Sequence, residues 1–419
     1  MRTRKKKEIV LIMKTLNSRY QFINVSYFAM MAAMLAFASN YLLDLGYTNS
    51  QIGIILALYS IVSLFLQPVC ASFSDNHPDI PLQRFIQALL AFIMVGSLIM
   101  FVSGKIWGRN LLLSVMTVLI FACMMSGSPL INTLAFIYEK YNIRINYGMA
   151  RGLGSATYAV ISMVLGYVVD ALGAGILPIT YILFAALSCF AVQTYRLKLS
   201  NKRKRQEEQF EKEEKNSNIS FFQFLTKYKM LTIVLTGYML VYTTHAIINN
   251  FYIQVIQNVG GTSSNMGIAV FIAALVELPA MFGFEKLIKR FRIETLMKVS
   301  LVMYALKHIV TFFATNVWGI YIASFLQIGA YAVFTPASVY FVNQIVSKTD
   351  VLMGQTVNMM FITMAGVLGS LLGGILMDVF SVHIVLGIGI VLTLAGTLLC
   401  FAGMARRKEE QPLVLDEEL

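Results

Sequence analysis

Charge is scarce in this chain. Lys, Arg, Asp and Glu make up 13% of its 419 residues, against 58% hydrophobic, and a water-soluble fold of that length needs far more polar surface. Acid is scarcer than base, 21 residues against 33. Cysteines number only four. Cys70, Cys123, Cys189 and Cys400 show no metal-ligand spacing and read as apolar filler. The chain lacks a nucleophile–base pair, a metal-ligand cluster and a nucleotide-binding glycine loop, which argues against an enzyme and against a resident cofactor. The basic excess forms no stripe or groove of the kind that holds nucleic acid.

Long apolar runs are abundant instead. Twelve stretches, 20–43, 52–73, 82–103, 111–138, 147–169, 174–197, 229–257, 264–285, 295–314, 317–345, 353–378 and 382–404, each have the length of a membrane-crossing helix. All but four of the 33 Lys and Arg then fall on one side. Lys105 and Arg109 lie on the other side, and Arg151 and Lys307 lie inside spans. The side richer in positive charge is the cytoplasmic one, so both termini are expected in the cytoplasm of a multi-pass cell-membrane protein. Ala36-Phe37-Ala38 faintly resembles a signal-cleavage site. The apolar run continues past it, so the first stretch reads as a retained span.

The expected fold is an all-α membrane protein of twelve helices in two six-helix halves with pseudo-two-fold symmetry. Residues 1–197 form the first half, 198–228 a charged cytoplasmic linker, 229–405 the second half and 406–419 a cytoplasmic tail. The stretch Lys198–Asn218 is dense in charge and nearly free of apolar residues, as a solvated tether is. The halves resemble each other. Ser50-Gln51-Ile52-Gly53 opens span 2 and Ser264-Asn265-Met266-Gly267 opens span 8. Gly166 to Asp170 closes span 5 and Gly374 to Asp378 closes span 11, at nearly the same offset. A parallel repeat of this kind places a substrate site near the midplane. Gly366, Gly369, Gly373 and Gly374 on span 11 read as packing positions, or as sliding surfaces if the halves rock.

Polar side chains deep in a span are expensive and tend to be functional. Glu277, Lys307, His245 and Gln327 each lie near the middle of their span by residue count, which predicts one shared cavity. Glu277 is the only acid placed that deep. It reads either as a proton carrier or as half of a fixed pair with Lys307 that joins spans 8 and 9. His245 reads as a titrating or substrate-bonding group, or as a satisfied neutral side chain. Asn249 and Asn250 follow it with both donors and acceptors. His308 is expected to point elsewhere than its neighbour Lys307. In the first half, Arg151, Ser155 and Tyr158 share one helix face by their i, i+4, i+7 spacing. A guanidinium, a hydroxyl and an aromatic ring in a row suit a polar, ring-shaped solute. Arg151 has a competing reading, in which it snorkels to the inner interface.

These residues resemble the major facilitator superfamily, in particular its oligosaccharide:proton symporter branch, which contains lactose permease, and the related phenylpropionate-permease-like proteins. The resemblance runs through nearly all spans. It is carried by Asn49-Ser50-Gln51-Ile52-Gly53 through Gln67-Pro68 to Ser74-Asp75, and most specifically by Tyr147-Gly148-x-x-Arg151-x-x-Gly154-Ser155. It implies that Arg151 contacts the solute and Tyr158 stacks on it. It places Asn132 at the family's span 4 acid if Pro129 anchors the alignment, or Ala135 there if Glu139-Lys140 does. Lys307 falls where lactose permease has a buried arginine, and Glu277-Leu278-Pro279 resembles the span 8 Glu-x-Pro of the phenylpropionate type. Gln327 and Ala330 stand where lactose permease carries its span 10 histidine and glutamate, and His245 and Ile248 where it carries span 7 aspartates. Glu277 then remains as the proton-coupling candidate. The implied activity is uptake of a small polar solute such as a sugar, driven by a proton, in a monomer embedded in the lipid bilayer. A drug or metabolite exporter of the same fold lacks support, since span 5 has no Gly-Pro between Arg151 and Asp170. A transport-dead sensor lacks an appended signalling domain, the tail after Arg406 being short and acidic.

Overall fold

The computed structural model describes residues 2–77, 79–138, 145–195 and 220–410. The charged stretch Lys198–Asn218, Glu139 and most of the tail lie outside the described residues. Every regular element among the described residues is helical. Eleven helices are long and apolar enough to cross a membrane, and a twelfth crossing is a pair, Met13–Ala36 and Ala38–Asp44, bent by 47°. Their outward faces carry large apolar side chains, among them Phe65, Leu111, Phe190, Phe313 and Leu398, each more than 60% exposed. Only a lipid solvent tolerates that surface. Both tryptophans, Trp107 at the C-terminal end of span 3 and Trp318 at the N-terminal end of span 10, are exposed, where the amphipathic indole suits the headgroup level.

By contact the chain divides into two units: Met1–Tyr47 with Leu58–Glu214, and Thr48–Ala57 with Lys215–Leu419. Span 2, Asn49–Asn76, therefore starts in the second unit and continues into the first. Within the first unit, span 1 packs on spans 5 and 6, and span 3 packs on spans 4 and 6. Within the second, span 7 packs on spans 11 and 12, and span 9 packs on spans 10 and 12. The same four pairings recur at equivalent positions. Span 7 is the centre of its unit: its apolar window is 67% buried, against 17% for span 8. Span 11 reaches it closely because Gly369 has no side chain. A Cβ there would lie 2.8 Å from the Thr243 carbonyl oxygen.

Three crossings are not continuous helices. Span 1 passes through a π turn, Ala32–Ala36, before its bend at Phe37. Span 7 breaks at Phe251 between Lys229–Asn250 and Tyr252–Asn258. Span 10 breaks at a 3₁₀ turn, Leu326–Ile328, between Val317–Phe325 and Tyr331–Ile345. Span 4 ends at Thr133 rather than at 138. The apolar residues 134–138 form turns, closed by short-range bonds such as Phe136 N–H to Thr133 C=O at 3.0 Å. The end of the 198–228 stretch is folded rather than tethering. Ser220 and Gln223 form a capping box for a short helix, Phe221–Lys227, whose Phe224 is fully buried in the second unit.

Candidate functional site

In the second unit the sequence's depth count brings three side chains into one chain of hydrogen bonds. Lys307 Nζ donates to Gln327 Oε1, and Gln327 Nε2 donates to Glu277 Oε1 at 3.1 Å. The amide suits that place because it has an acceptor for the ammonium and a donor for the carboxylate. Gln327 thus lies between the two charged groups, for which the sequence left open a fixed pair or a proton-carrying Glu277. It lies in the 3₁₀ turn that interrupts span 10, with Lys307 and Gln327 both buried and Glu277 half-buried.

His245, on span 7, lies in an aromatic cluster. Its ring centroid is 5.2 Å from Tyr304, 5.4 Å from Tyr242 and 5.9 Å from Tyr331. Its Nε2 meets Asn249 Nδ2 at 2.9 Å. Asn250 is not part of this cluster, because its amide donates to Ser370 Oγ at 2.8 Å and ties span 7 to span 11. His308, which the sequence sets aside, does reach the cluster. Its ring is 6.4 Å from that of His245, while its Nδ1 meets Thr393 Oγ1 on span 12 at 2.8 Å.

In the first unit Arg151 is exposed on span 5 and its guanidinium lies 4.2 Å from the ring centroid of Phe28 on span 1. That ring rests against Gly154, where a Cβ would come within 2.7 Å of it. The glycine lets an aromatic floor slide under the arginine, and the contact is a cation–π one. Ser155 and Tyr158 are half-buried on the same helix. Asn132 is half-buried in the last turn of span 4, and Ala135 is buried beyond the helix end. Toward the N-terminal ends of spans 1 and 5 lies a pocket of about 360 Å³ lined by Met13, Lys14, Asn17, Gln21, Asn146 and Met149. Asn146 N–H donates to Asn17 Oδ1 at 2.7 Å across it. Phe28, Asn17 and Gln21 escaped the sequence reading. Their signal was present, since Asn17, Gln21, Asn24 and Phe28 recur at three- and four-residue steps along one face of span 1.

A polar knot ties the Phe221–Lys227 helix to the start of span 11. Asp350, ahead of span 11, accepts from Lys227 Nζ at 2.7 Å and from Tyr228 Oη at 2.8 Å. These bonds draw its carboxyl down to about 2 and push the Lys227 ammonium up. At the C-terminal end of span 11, Asp378 accepts from the backbone N–H groups of Asn49 at 2.9 Å and Ser50 at 2.8 Å, capping the exposed donors of span 2's first turn. Among the described residues no group of three His, Cys, Asp or Glu side chains is placed to hold a metal ion.

Comparison with known proteins gives a consistent answer. An uncharacterized transporter of Bacillus subtilis (strain 168), YwbF, is 24% identical over 386 residues, covering 87% of this chain and 88% of that one. The crystal structure of the nucleoside transporter NupG is similar in fold, with a TM-score of 0.67 and 18% identity over 94% of this chain and 99% of that one. A bacterial homologue of the iron transporter ferroportin, in an inward-facing state, has a TM-score of 0.67 and 13% identity over 93% and 99%. The twelve crossings, the repeated packing and the match to the MFS_1 like family over residues 18–386 together make this chain a member of that family of membrane transporters.

Proposed function

We propose that the protein imports a small polar solute bearing a ring, such as a sugar or a nucleoside, together with a proton, by alternating access across the cell membrane with both termini in the cytoplasm. The observation that carries this reading is the Lys307–Gln327–Glu277 chain, buried at Lys307 and Gln327 and half-buried at Glu277. With Glu277 ionised and Lys307 protonated it is neutral. A proton on Glu277 leaves Oε1 able to accept from Gln327, so the chain of bonds survives while its charge rises by one. A membrane potential then adds about 2.3 kcal/mol per 100 mV to inward movement of the loaded form. Arg151, Ser155 and Tyr158 supply the donors and the aromatic face that a hydroxylated ring needs. The exposed guanidinium stacked on Phe28 keeps its five N–H groups in a fixed plane. The fold shared with a nucleoside transporter and the motif shared with sugar symporters favour the same solute class.

The test is solute-induced pH change in proteoliposomes with a panel of sugars, nucleosides and aromatic acids, run beside Glu277→Gln. One solute should alkalinise the outside, and the mutant should lose that proton flux while still exchanging labelled for unlabelled solute. Uptake without proton flux, equal in both proteins, would remove Glu277 from coupling and leave it a structural partner of Lys307.

A further inference from the structure

The hydrogen-bond partners of the two buried histidines fix which ring nitrogen of each carries the proton. A neutral imidazole has one donor and one acceptor. His245 Nε2 faces Asn249 Nδ2 at 2.9 Å. An amide nitrogen only donates, so Nε2 accepts and the ring proton is on Nδ1. His308 Nδ1 faces Thr393 Oγ1 at 2.8 Å. The Thr393 hydroxyl gives its one proton to the Gly389 carbonyl at 2.9 Å. It therefore accepts from His308, whose proton is also on Nδ1 and whose Nε2 carries a lone pair.

The two remaining atoms are complementary and open. His245 Nδ1–H and His308 Nε2 have no hydrogen-bond partner, on rings 3% and 1% exposed. Buried polar groups in native proteins are nearly always satisfied. The rings lie 6.4 Å apart at 26°, too far for a direct bond between them. With the bent angle of an sp³ oxygen, two hydrogen bonds in series join nitrogens about 4.5–5 Å apart, a separation that nitrogens on the facing edges of rings with centroids 6.4 Å apart can reach.

We propose that His245 and His308 form a binding site for a single hydroxyl group, which accepts from His245 Nδ1–H and donates to His308 Nε2. The chemistry is selective. A carboxylate has no proton to give Nε2, and an ammonium has no lone pair for Nδ1–H. Water and an alcohol hydroxyl offer both. In the empty protein the group is a buried water. In the loaded protein a hydroxyl of the solute takes its place, a step that rests on the transport reading above. The rings of Tyr242, Tyr304 and Tyr331 surround the pair, and the neighbouring Lys307 is turned to Gln327.

Magic-angle-spinning NMR of the full chain in lipid bilayers, with ¹⁵N-histidine, tests this directly. The chain has only four histidines, and His245→Phe and His308→Phe assign the two of interest. Both rings should be neutral and protonated at Nδ1. His308 Nε2 should show the shift of a hydrogen-bonded imine, and water protons should transfer polarisation to it and to His245 Nδ1. In His308→Phe the His245 Nδ1 signal should move. A His245 ring protonated at Nε2, a cationic ring at pH 7, or no water transfer to either atom overturns the proposal. Uridine as probe separates the two sources: loss of water transfer with the bonded shifts retained marks a solute hydroxyl, and retained transfer marks a resident water. Failure of the transport reading leaves the solute-free spectrum intact, whereas failure of this site shows in that spectrum.

Discussion

Gln327→Leu removes the link between buried Lys307 and half-buried Glu277 without changing either of them. Gln327 makes two hydrogen bonds, one from Lys307 and one to Glu277. Such bonds inside membrane proteins are worth about 0.6 kcal/mol on average and at most about 1.7, so losing both costs about 1–3 kcal/mol. If the Lys307 ammonium finds no other acceptor, the loss moves toward the ~3–5 kcal/mol of a broken buried pair. Lys307→Met removes the charge that suffers, so the double variant should recover about 1–2 kcal/mol relative to the sum of the singles, well beyond the ~0.3–0.5 kcal/mol scatter of independent sites. Unfolding in mixed micelles by a denaturing detergent, followed by far-ultraviolet circular dichroism, gives the four free energies of the cycle. A Gln327→Leu protein within ~0.5 kcal/mol of wild type, or a cycle that adds without coupling, refutes the bridge.

The other expectations are equally specific. Asp350 has its carboxyl lowered to about 2 by Lys227 and Tyr228, so its stabilising effect is complete above the ordinary carboxylate range and lost as pH falls from about 4 to about 2. The difference in thermal unfolding midpoint between wild type and Asp350→Asn should therefore shrink across that interval, and a constant difference would count against the knot. Gly374→Ala would put a Cβ 2.4 Å from the Asn49 carbonyl oxygen, an overpacking that costs about 1–3 kcal/mol. Hydrogen exchange of a peptide covering Thr48–Ala57 should quicken in that variant, and unchanged exchange would show that the close approach is dispensable. Arg151→Lys keeps the charge but loses the planar fork stacked on Phe28, so uptake of the best solute should fall by about tenfold or more, the equivalent of ~1.4 kcal/mol. Full activity in Arg151→Lys would favour the snorkelling reading.

The sequence offers an expected depth for a polar side chain and no azimuth. Residue counting puts Glu277, Lys307, Gln327 and His245 near one level, and the structure connects the first three. Counting does not tell which way a side chain turns around its helix axis. Lys307 and His308 are adjacent and face different neighbours, span 10 and span 12. Span 9 packs against both, so two adjacent polar residues each find a partner. Breaks were equally hidden from hydropathy. The apolar run through 138 looks continuous, yet the helix stops at Thr133, because apolarity reports the solvent a segment prefers and not its backbone bonding. The helix at Phe221–Lys227 was visible only as chemistry, in the Ser220 and Gln223 capping box ahead of a cluster of phenylalanines.

The positions of the irregular backbone follow from the same polar residues. In lipid an interrupted helix leaves carbonyl and N–H groups that need partners, so a break is tolerated only inside protein or beside a polar cavity. Span 10 breaks at Gln327 itself. Span 7 breaks one residue after Asn250, whose amide is tied to Ser370. Span 1 enters its π turn four residues after Phe28, the floor under Arg151. π turns are frequent at functional sites. Discontinuous spans in transporters likewise concentrate where substrate and ions bind. Gln327 therefore sits at a break itself, whereas Arg151, Glu277 and Lys307 project from the continuous helices of spans 5, 8 and 9, so the candidate residues draw on both kinds of span.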